Sequence, residues 1–379
     1  MAEFRSTGHP DSTEGVFRIA PFISSLTTHP VRVPLLSPFT TSVRSATELD
    51  TVLLQLTDQD GRSGWGEVPA SKVTGVSSRT SVRSLEGPLR ALVLAAGNPE
   101  EALTKLAVSG EPAAIRSAMD CALHDLIAQR ASLPLARLIG AGRLRLRTDM
   151  TLSVASTEEL IPKVRDHLDQ GFDCLKIKID AHHDAVAALR AIRELVGPAM
   201  QLRIDANQAF EAGDAIRVIR AMEDADVGLS LVEQPVRADD LSGLALVSAA
   251  VDTPVMADES VWSMADLEEL LRLKAAPMVN LKLAKTGGLL TARAMLTRAL
   301  AEGLEVVIGC MLESPVAISA AAALAATLPE MAQDLDGGLW LRSSPVVGGA
   351  VYQGPEITLP DVPGLGVTAL AGRGLRDRD

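Results

Sequence analysis

Cysteine and positive charge are scarce in this chain, and each shortage argues against a class of protein. The 379 residues contain three cysteines, Cys121, Cys174 and Cys310, which lie far apart in apolar stretches without zinc-ligand or redox spacing. Isolated cysteines are typical of a reducing compartment, so we expect a cytoplasmic protein. Acidic residues outnumber basic ones by 48 to 36, and the net charge of −12 disfavours a nucleic-acid or anionic-membrane partner.

The sequence also shows no hydrophobic pattern typical of a signal peptide or of a membrane span. Residues 1–15 are polar and lack the apolar core of a signal peptide, so we interpret them as a flexible tail. The most apolar run, residues 316–328, is rich in alanine and too short for a membrane span, which favours a buried helix. No glycine-rich phosphate loop and no nucleophile beside a base stand out.

The first third of the chain predicts an α+β domain. Residues 51–56 and 63–68 are strand-like and flank a turn, which indicates a β-hairpin. Residues 37–45, ahead of this hairpin, have the composition of a loop. Helical periodicity follows over residues 82–108 and, more strongly, over residues 112–131.

Short apolar strands alternate with amphipathic helices from residue 148 onward. Helical patterns such as residues 156–170, 184–196 and 212–224 separate the strands. This alternation predicts an eight-stranded α/β barrel, in which active sites lie at the carboxyl ends of the strands. The predicted strands are residues 148–154, 174–179, 201–205, 229–233, 253–257, 278–283, 305–309 and 334–336.

The second of these strands carries two lysines in an otherwise apolar run. Lys176 and Lys178 alternate with Leu175 and Ile177, so the two ammonium groups point to one face of the sheet. Their mutual repulsion is expected to lower the pKa of at least one lysine toward that of a usable base. A solvent-facing edge strand is the alternative interpretation of such a pair.

Three successive strands then end in carboxylates. Asp205, Glu233 and Asp258 close the third, fourth and fifth strands, one β/α unit apart. Because the carboxyl ends of these strands meet at one rim, the three groups repel each other unless a cation lies among them. Oxygen ligands without cysteine or histidine suit Mg²⁺. Each carboxylate alone has helix capping as an alternative role, but three in consecutive units favour a metal site.

The sixth strand adds another lysine, Lys282, at the same rim. Strands two and six lie roughly opposite each other in a ring of eight, so Lys282 is expected to face Lys176 and Lys178 across the metal. We interpret Lys285, which lies beyond the strand, as an outer or surface residue. A cation with a base on either side suits abstraction of a proton next to a carboxylate, with enolate charge growing beside the metal.

This ordered set of lysines and carboxylates resembles the enolase superfamily, muconate-lactonising-enzyme subgroup. Residues 117–126 and 63–67 are similar to that family's segment leading into the barrel and to its capping-domain hairpin. The resemblance covers nearly the whole chain and implies a modified TIM barrel, (β/α)7β, with an N-terminal α+β capping domain. The residues that carry it are Lys176, Lys178, Asp205, Glu233, Asp258 and Lys282.

The resemblance also implies roles for these residues. Asp205, Glu233 and Asp258 are expected to bind Mg²⁺. Lys178 and Lys282 are expected to be the acid/base groups on opposite faces of the substrate. Lys176 is expected to lower the proton affinity of Lys178 and to help neutralise the enolate.

One motif distinguishes the reactions of this subgroup, which include cycloisomerases, o-succinylbenzoate synthases, N-acylamino-acid racemases and dipeptide epimerases. Asp334 and Asp336 form an Asp-x-Asp sequence similar to that of dipeptide epimerases. Two carboxylates on one face of the eighth strand would hold the free α-ammonium of a dipeptide, a cation that muconate and succinylbenzoate lack. A polar strand end or an acidic turn is the alternative.

Residues 41–44 resemble a capping-loop segment of L-Ala-D/L-Glu epimerases. In those enzymes an arginine holds the side-chain carboxylate of the C-terminal residue, and the resemblance implies this role for Arg44. A surface arginine in a mobile loop is the alternative.

We therefore predict an isomerase, a Mg²⁺-dependent dipeptide epimerase that removes and returns the Cα proton next to a carboxylate. An N-acylamino-acid racemase, an o-succinylbenzoate synthase and a muconate cycloisomerase remain alternatives in the subgroup, and a non-enzymatic barrel is the alternative outside it. We expect a homo-oligomer. The expected domains are a capping domain at residues 16–130, a barrel at residues 131–345 and a C-terminal segment, residues 346–379, that returns to the capping domain.

Overall fold

Two assemblies of secondary structure make up the described part of the chain, an antiparallel sheet with its helices and a ring of parallel strands. The computed structural model describes residues 22–42 and 44–372. The tail predicted at residues 1–15 lies outside the described residues. None of the helices that are described combines the length and the apolarity needed to cross a membrane.

The N-terminal sheet has three antiparallel strands, β1 (Ile23–Thr40), β2 (Ser45–Asp58) and β3 (Ser63–Pro69), with β1 at one edge. Pairing of β2 with β3 confirms the predicted hairpin. The loop predicted over residues 37–45 is wrong in its first half, because β1 continues to Thr40 after a register shift. The prolines of β1 are tolerated because an edge strand can lack N–H groups on its solvent side.

Helices of the capping region follow the sheet. The helix predicted over residues 82–108 is broken, because Gly87 has non-helical φ and ψ of −97° and −105° and Pro88 follows it. The helix predicted over residues 112–131 is confirmed. The elements are α1 (Ser78–Ser84), a π-helical segment (Leu85–Leu89), α2 (Arg90–Leu94), α3 (Pro99–Ala107), α4 (Ala113–Arg130) and α5 (Leu135–Leu138).

Two glycines allow α4 to lie directly on β3. A Cβ atom at Gly64 would collide with the backbone oxygen of Ala122, and one at Gly66 with that of Ala118. The close approach buries α4 on nearly every side, so its sequence shows little amphipathic contrast.

The barrel strands follow in chain order, each parallel to the one before. The first strand is interrupted at Asp149, which divides it into β4 (Arg145–Thr148) and β5 (Met150–Leu152). The next strands are β6 (Cys174–Lys178), β7 (Gln201–Asp205), β8 (Leu229–Glu233), β9 (Val255–Ala257), β10 (Met278–Lys282), β11 (Glu305–Gly309) and β12 (Ala332–Gln333).

Helices connect β5 to β6 and each later strand of the barrel to the next. The apolar run predicted as a buried helix is confirmed by α13, whose residues from Val316 to Ala325 are all buried. The helices are α6 (Thr157–Asp169), α7 (Ala185–Val196), α8 (Ala212–Asp224), α9 (Leu241–Ala250), α10 (Met264–Leu273), α11 (Leu283–Thr286), α12 (Leu289–Ala301) and α13 (Pro315–Ala325).

β12 closes the ring. It pairs in parallel with β4, and Asp334 immediately after it bridges Gly309 at the end of β11. Seven strand–helix units and a final strand therefore form the predicted (β/α)7β barrel. The eighth strand was predicted at residues 334–336, but β12 ends at Gln333 and Asp336 begins a 3-10 helix (Asp336–Trp340), where its carboxylate accepts the Thr151 and Trp340 N–H groups.

Four short strands form the C-terminal segment. β13 (Val346–Gly348) pairs with β16 (Val367–Leu370), β14 (Val351–Gln353) pairs with β15 (Glu356–Thr358), and β15 also pairs with β4. The Leu365 N–H donates to an Asp125 oxygen of α4 over 2.8 Å, so part of this segment contacts the capping helix. The predicted domain boundaries stay predictions.

Two buried carboxylates join the capping region to the barrel. Glu67 of β3 accepts hydrogen bonds from Ser314 and from the backbone N–H of Ala317 at the start of α13. Asp120 of α4 accepts the Leu289 N–H at the start of α12 over 2.6 Å. Negative groups are stabilised at helix N-termini, so these contacts fix the cap above the carboxyl ends of the strands.

Candidate active site

Lys176 lies at the centre of the barrel mouth. Leu175 and Ile177 pack outward from β6, so Lys176 points inward, and only 2% of its surface is exposed. Its Nζ lies 2.6 Å from Glu233 Oε2, 3.0 Å from Asp334 Oδ2 and 3.1 Å from Asp205 Oδ2. The side chain therefore contacts carboxylates from three other strand ends.

These carboxylates also set the protonation of Lys176. Burial disfavours its charge, but Asp334, Glu233 and Asp205 outweigh burial and hold the pKa of Lys176 well above its ordinary value. Repulsion between the two lysines therefore does not lower the pKa of Lys176, because three negative groups lie within 3.1 Å of its Nζ.

Lys178 and Lys282 approach the same space from opposite sides. The Nζ of Lys178 lies 2.5 Å from Asp205 Oδ2 and 6.0 Å from the ring centroid of Phe39, which the capping strand β1 supplies. The Nζ of Lys282 lies 3.0 Å from Asp258 Oδ2. β6 and β10 are four positions apart in the strand order, so the two lysines face each other as predicted.

Lys285 belongs to this cluster, so its interpretation as an outer residue is wrong. The chain turns into the short helix α11 directly after β10, which directs Lys285 back under the rim and leaves 1% of it exposed. Its Nζ lies 2.6 Å from Asp258 Oδ1 and contacts the Asp258 carbonyl. Burial lowers the pKa of Lys285 below its ordinary value.

The three predicted metal ligands lie at the ends of adjacent strands. Asp205, Glu233 and Asp258 are all buried, and Asp205 pairs in register with Glu233. Burial and the charges of Asp205 and Asp258 raise the pKa of Glu233 to about 8. Glu233 Oε2 is buried, and Lys176 Nζ contacts it at 2.6 Å without the alignment of a hydrogen bond. A carboxylate in this condition fits a divalent cation, and the donor set is entirely oxygen.

A second carboxylate cluster lies beside the first. One oxygen from each of Asp149, Asp334 and Asp336 lies within 4.8 Å of the other two. Three cationic side chains already contact this cluster, because Lys176 and Lys282 lie 3.0 and 3.7 Å from Asp334 Oδ2 and Arg203 donates to Asp149 over 2.9 Å. Most of its negative charge is thus offset, so it suits a singly charged ammonium better than a divalent metal ion.

Asp334 and Asp336 reach the cavity from different elements. Asp334 follows β12, whereas Asp336 begins the 3-10 helix and accepts the Thr151 N–H at 2.8 Å and the Trp340 indole N–H at 3.1 Å. Burial opposes the charge of Asp334, but the lysines lower its pKa, and burial raises the pKa of Asp336. Both residues line one cavity of about 650 Å³, open to solvent, together with Lys178 and Lys282.

Arg44 enters this cavity from the capping region. It follows the turn between β1 and β2, and Ser42 in that turn donates hydrogen bonds to the Ala206 and Asn207 carbonyls at 3.2 and 3.0 Å. The turn therefore contacts the end of β7. Arg44 lines the cavity, burial lowers its pKa, and no ion pair joins it to any carboxylate of the described residues.

Several cavity residues escaped the sequence interpretation. Phe39 and Trp340 make an edge-to-face contact with ring centroids 4.8 Å apart. Phe39 lies in the segment that was predicted as a loop, and Trp340 lies in a segment without a predicted element. Asn280 donates hydrogen bonds to Glu233 and Asp334 inside the barrel. Strand alternation could have found Asn280, since it precedes Lys282 by two residues and shares its face.

The fold and the site define an α/β-barrel enzyme with buried lysines and carboxylates at the carboxyl ends of its strands. More specifically, the chain belongs to the mandelate racemase / muconate lactonizing enzyme family. Residues 23–140 match the N-terminal domain of that family, and residues 159–371 match the enolase C-terminal domain-like family. The predicted family and the predicted capped barrel are confirmed.

Curated and solved relatives agree with this assignment. The L-Ala-D/L-Glu epimerase of Bacillus subtilis is 38% identical, over 92% of this chain and 97% of the relative. The N-succinyl-L-Arg/Lys racemase of Bacillus cereus is 29% identical, over 91% and 95%. A dipeptide epimerase of Enterococcus faecalis, solved with Mg and L-Leu-L-Tyr, has a TM-score of 0.86 at 32% identity, over 91% and 99%. Epimerases and racemases are isomerases, which confirms the predicted enzyme class.

Proposed function

We propose that this protein is a Mg²⁺-dependent dipeptide epimerase. The observation that carries the proposal is a single cavity in which lysines from opposite strands, Lys178 and Lys282, meet the carboxylate pair Asp334 and Asp336. Acid/base groups on two sides suit inversion at a carbon, and a carboxylate pair suits a substrate with a free ammonium group.

Asp205, Glu233 and Asp258 are the proposed Mg²⁺ ligands. Their fit rests on their burial at adjacent strand ends and on a donor set that is entirely oxygen. The bound ion would offset the charge of the substrate carboxylate and thereby acidify the adjacent Cα–H. The related Enterococcus enzyme was solved with Mg.

The lysines divide the proton transfers between them. Lys178 removes or returns the Cα proton on one face, and Lys282 does so on the other, because β6 and β10 lie on opposite sides of the ring. Lys176 remains charged among its carboxylates and supplies the fixed positive charge that stabilises the enolate.

Two further contacts define the substrate. Asp334 and Asp336 bind the α-ammonium of the dipeptide, with Asp149 behind them. Arg44, which has no carboxylate partner among the described residues, binds the side-chain carboxylate of a C-terminal glutamate through its planar guanidinium. We therefore propose a substrate of the L-Ala-L-Glu type, in keeping with the Bacillus subtilis relative.

Deuterium incorporation at Cα tests this function. The protein is incubated with Mg²⁺ and a library of L,L-dipeptides in D₂O, and mass spectrometry measures the uptake. Uptake in Ala-Glu-like members supports the reaction and the role of Arg44, whereas uptake only in other dipeptides keeps the reaction and rejects that role. If no dipeptide takes up deuterium but N-succinylamino acids are turned over, the result would reject the epimerase proposal and support a racemase.

We also propose a homo-oligomer in the cytoplasm. The three cysteines are free and buried, which fits a reducing compartment. Sedimentation equilibrium of the purified protein tests the oligomer, since a single species at the 39.9 kDa monomer mass would exclude it.

A further inference from the structure

One buried amide group connects the two carboxylate clusters. Asn280 lies on β10 and is completely buried. Its Nδ2 donates one hydrogen bond to Glu233 Oε1 over 3.0 Å and another to Asp334 Oδ2 over 2.9 Å. Glu233 belongs to the proposed metal site and Asp334 to the proposed ammonium site. The NH₂ group of one side chain therefore donates a hydrogen bond to a carboxylate of each site.

The chemistry of the neighbours fixes the orientation of this amide. A reversed amide would point its oxygen at the Asp334 carboxylate with no hydrogen between the two oxygens, so the NH₂ group must face Glu233 and Asp334. The amide oxygen, Oδ1, is buried and has no partner among the described residues. The NH₂ group of Asn280 therefore donates two hydrogen bonds, whereas its amide oxygen accepts none from the described residues.

Gly309 on the neighbouring strand β11 provides the space for this arrangement. A Cβ atom at Gly309 would collide with Asn280 Oδ1 and would lie 2.8 Å from Lys282 Cε. Any larger residue at the end of β11 would displace the amide and the adjacent lysine together. The absence of a side chain at Gly309, the last residue of β11, therefore leaves room for the Asn280 and Lys282 side chains of β10.

We infer that Asn280 is a positioning residue that couples metal binding to ammonium recognition. It holds Oε1 of Glu233 and Oδ2 of Asp334, so the amide engages neither Glu233 Oε2 nor Asp334 Oδ1. Because the amide is neutral, it orients both carboxylates without the positive charge that would oppose binding of Mg²⁺ and of an ammonium. The identity of the two ligands rests on the proposed function.

Lys176 makes a contrasting connection between the same carboxylates. It lies near both Glu233 and Asp334, at 2.6 and 3.0 Å, but it contributes a charge. A charged group can repel an incoming cation, whereas Asn280 keeps both carboxylates oriented when that cation binds. The two connections therefore act differently, and only Asn280 is expected to strengthen both sites.

Mg²⁺ binding to the substrate-free protein tests the first half of this inference. Replacing Asn280→Leu keeps a similar volume but removes both donors. Loss of a group that orients a metal ligand typically weakens metal binding about 10–100-fold. Isothermal titration calorimetry with MgCl₂ should show a dissociation constant raised at least about 10-fold. Asn280→Ser, a smaller side chain without an amide, should weaken binding in the same direction and serves if the leucine variant does not fold.

A control variant separates positioning from general stability. Asn98 accepts the Glu101 N–H at the start of α3, far along the chain from the site, and Asn98→Ser preserves such a cap. Its Mg²⁺ affinity should equal that of the wild type. A merely structural Asn280 would lower the melting temperature of its folded variants and leave their Mg²⁺ dissociation constant within about twofold, which would overturn the inference.

A double-mutant cycle tests the coupling. Asp334→Asn changes the second partner of the amide, so its effect on Mg²⁺ affinity should be several-fold larger with Asn280 present than in the Asn280→Leu background. Equal effects in the two backgrounds would show that the sites are independent. Because this experiment contains no dipeptide, its outcome does not depend on which substrate the enzyme turns over.

Discussion

The Nζ of Lys176 lies 2.6 Å from Glu233 Oε2, yet this oxygen receives no hydrogen bond from any described residue. The two atoms form an ion pair whose alignment is not that of a hydrogen bond. Neighbouring carboxylates and burial raise the pKa of Glu233 to about 8. Glu233 is therefore the member of the rim whose charge most requires an additional cation.

Removal of this carboxylate charge should abolish metal binding. We expect Glu233→Gln, which keeps the shape of the side chain, to raise the Mg²⁺ dissociation constant at least about 100-fold in calorimetry. Chelation of the wild type with EDTA should stop Cα exchange, and added Mg²⁺ should restore it. Glu305→Gln, the same exchange at the exposed start of β11, should leave affinity unchanged. Full activity in the presence of excess chelator would contradict the metal role.

The two facing lysines predict a difference between substrate configurations. Lys178→Ala and Lys282→Ala should each reduce epimerisation at least about 100-fold, because acid/base groups contribute rate factors of that order. Each variant should still exchange the Cα proton of one configuration only, as measured by mass spectrometry in D₂O. Lys163→Ala, an exposed residue of α6, is the matched control. Normal epimerisation by either active-site variant would disprove the two-base assignment.

From the proposed role of Asp336 we predict that the substrate requires a free α-ammonium group. Asp336→Asn should raise KM for L-Ala-L-Glu about 10–100-fold, because a hydrogen bond to a charged group contributes roughly 1.5–3 kcal/mol. Steady-state kinetics checks this, with Asp361→Asn, an exposed position, as the control. Weak turnover of N-succinylamino acids should fall less than dipeptide turnover. An equal loss for both substrates would indicate a structural role.

Arg44 predicts selectivity for an acidic C-terminal residue. Arg44→Gln should reduce kcat/KM for L-Ala-L-Glu about 10–100-fold, since the charged contact is lost. Turnover of L-Ala-L-Leu should change little, because its side chain has no carboxylate. Arg79→Gln, an exposed residue of α1, provides the comparison. A parallel loss with both dipeptides would mean that Arg44 does not bind the side chain.

The barrel was predictable because its signals are local. Buried parallel strands are short apolar runs, and the bounds predicted for β7, β8 and β11 agree with the structure to the residue. The polar residues that end β7 and β8, Asp205 and Glu233, mark the rim by position alone. The family resemblance then supplied roles that periodicity could not.

Tertiary contacts decided the features that the sequence missed. Lys285 is buried because the chain turns back at α11, a direction that composition does not encode. Phe39 reaches the cavity because β1 continues through a proline-rich stretch by pairing with β2. Asp336 lies in a 3-10 helix rather than in the eighth strand, and its carboxylate accepts the Thr151 and Trp340 N–H groups. Each outcome depends on residues distant in the chain.

Glu313 predicts how the stability of the protein depends on pH. This side chain is 4% exposed, and burial together with the charge of Glu67 raises its pKa to about 8. The folded state therefore holds a proton that the unfolded state, with an ordinary value near 4.5, releases. Stability contributed by this proton is present below about pH 4.5 and is lost as pH rises toward 8, with a limiting slope of about 1.4 kcal/mol per pH unit.

Replacement of Glu313 by glutamine isolates this contribution. Glu313→Gln keeps the buried shape without a group that ionises, so the free energy of unfolding should fall less steeply between pH 5 and pH 8, where we expect a gain over the wild type at the alkaline end on the order of 1–3 kcal/mol. Urea unfolding at several pH values, in EDTA so that no metal contributes, measures the slope. Glu330→Gln, an exposed position, should reproduce the wild-type slope. Identical slopes for Glu313→Gln and the wild type would mean that Glu313 ionises in the folded state as readily as in the unfolded state.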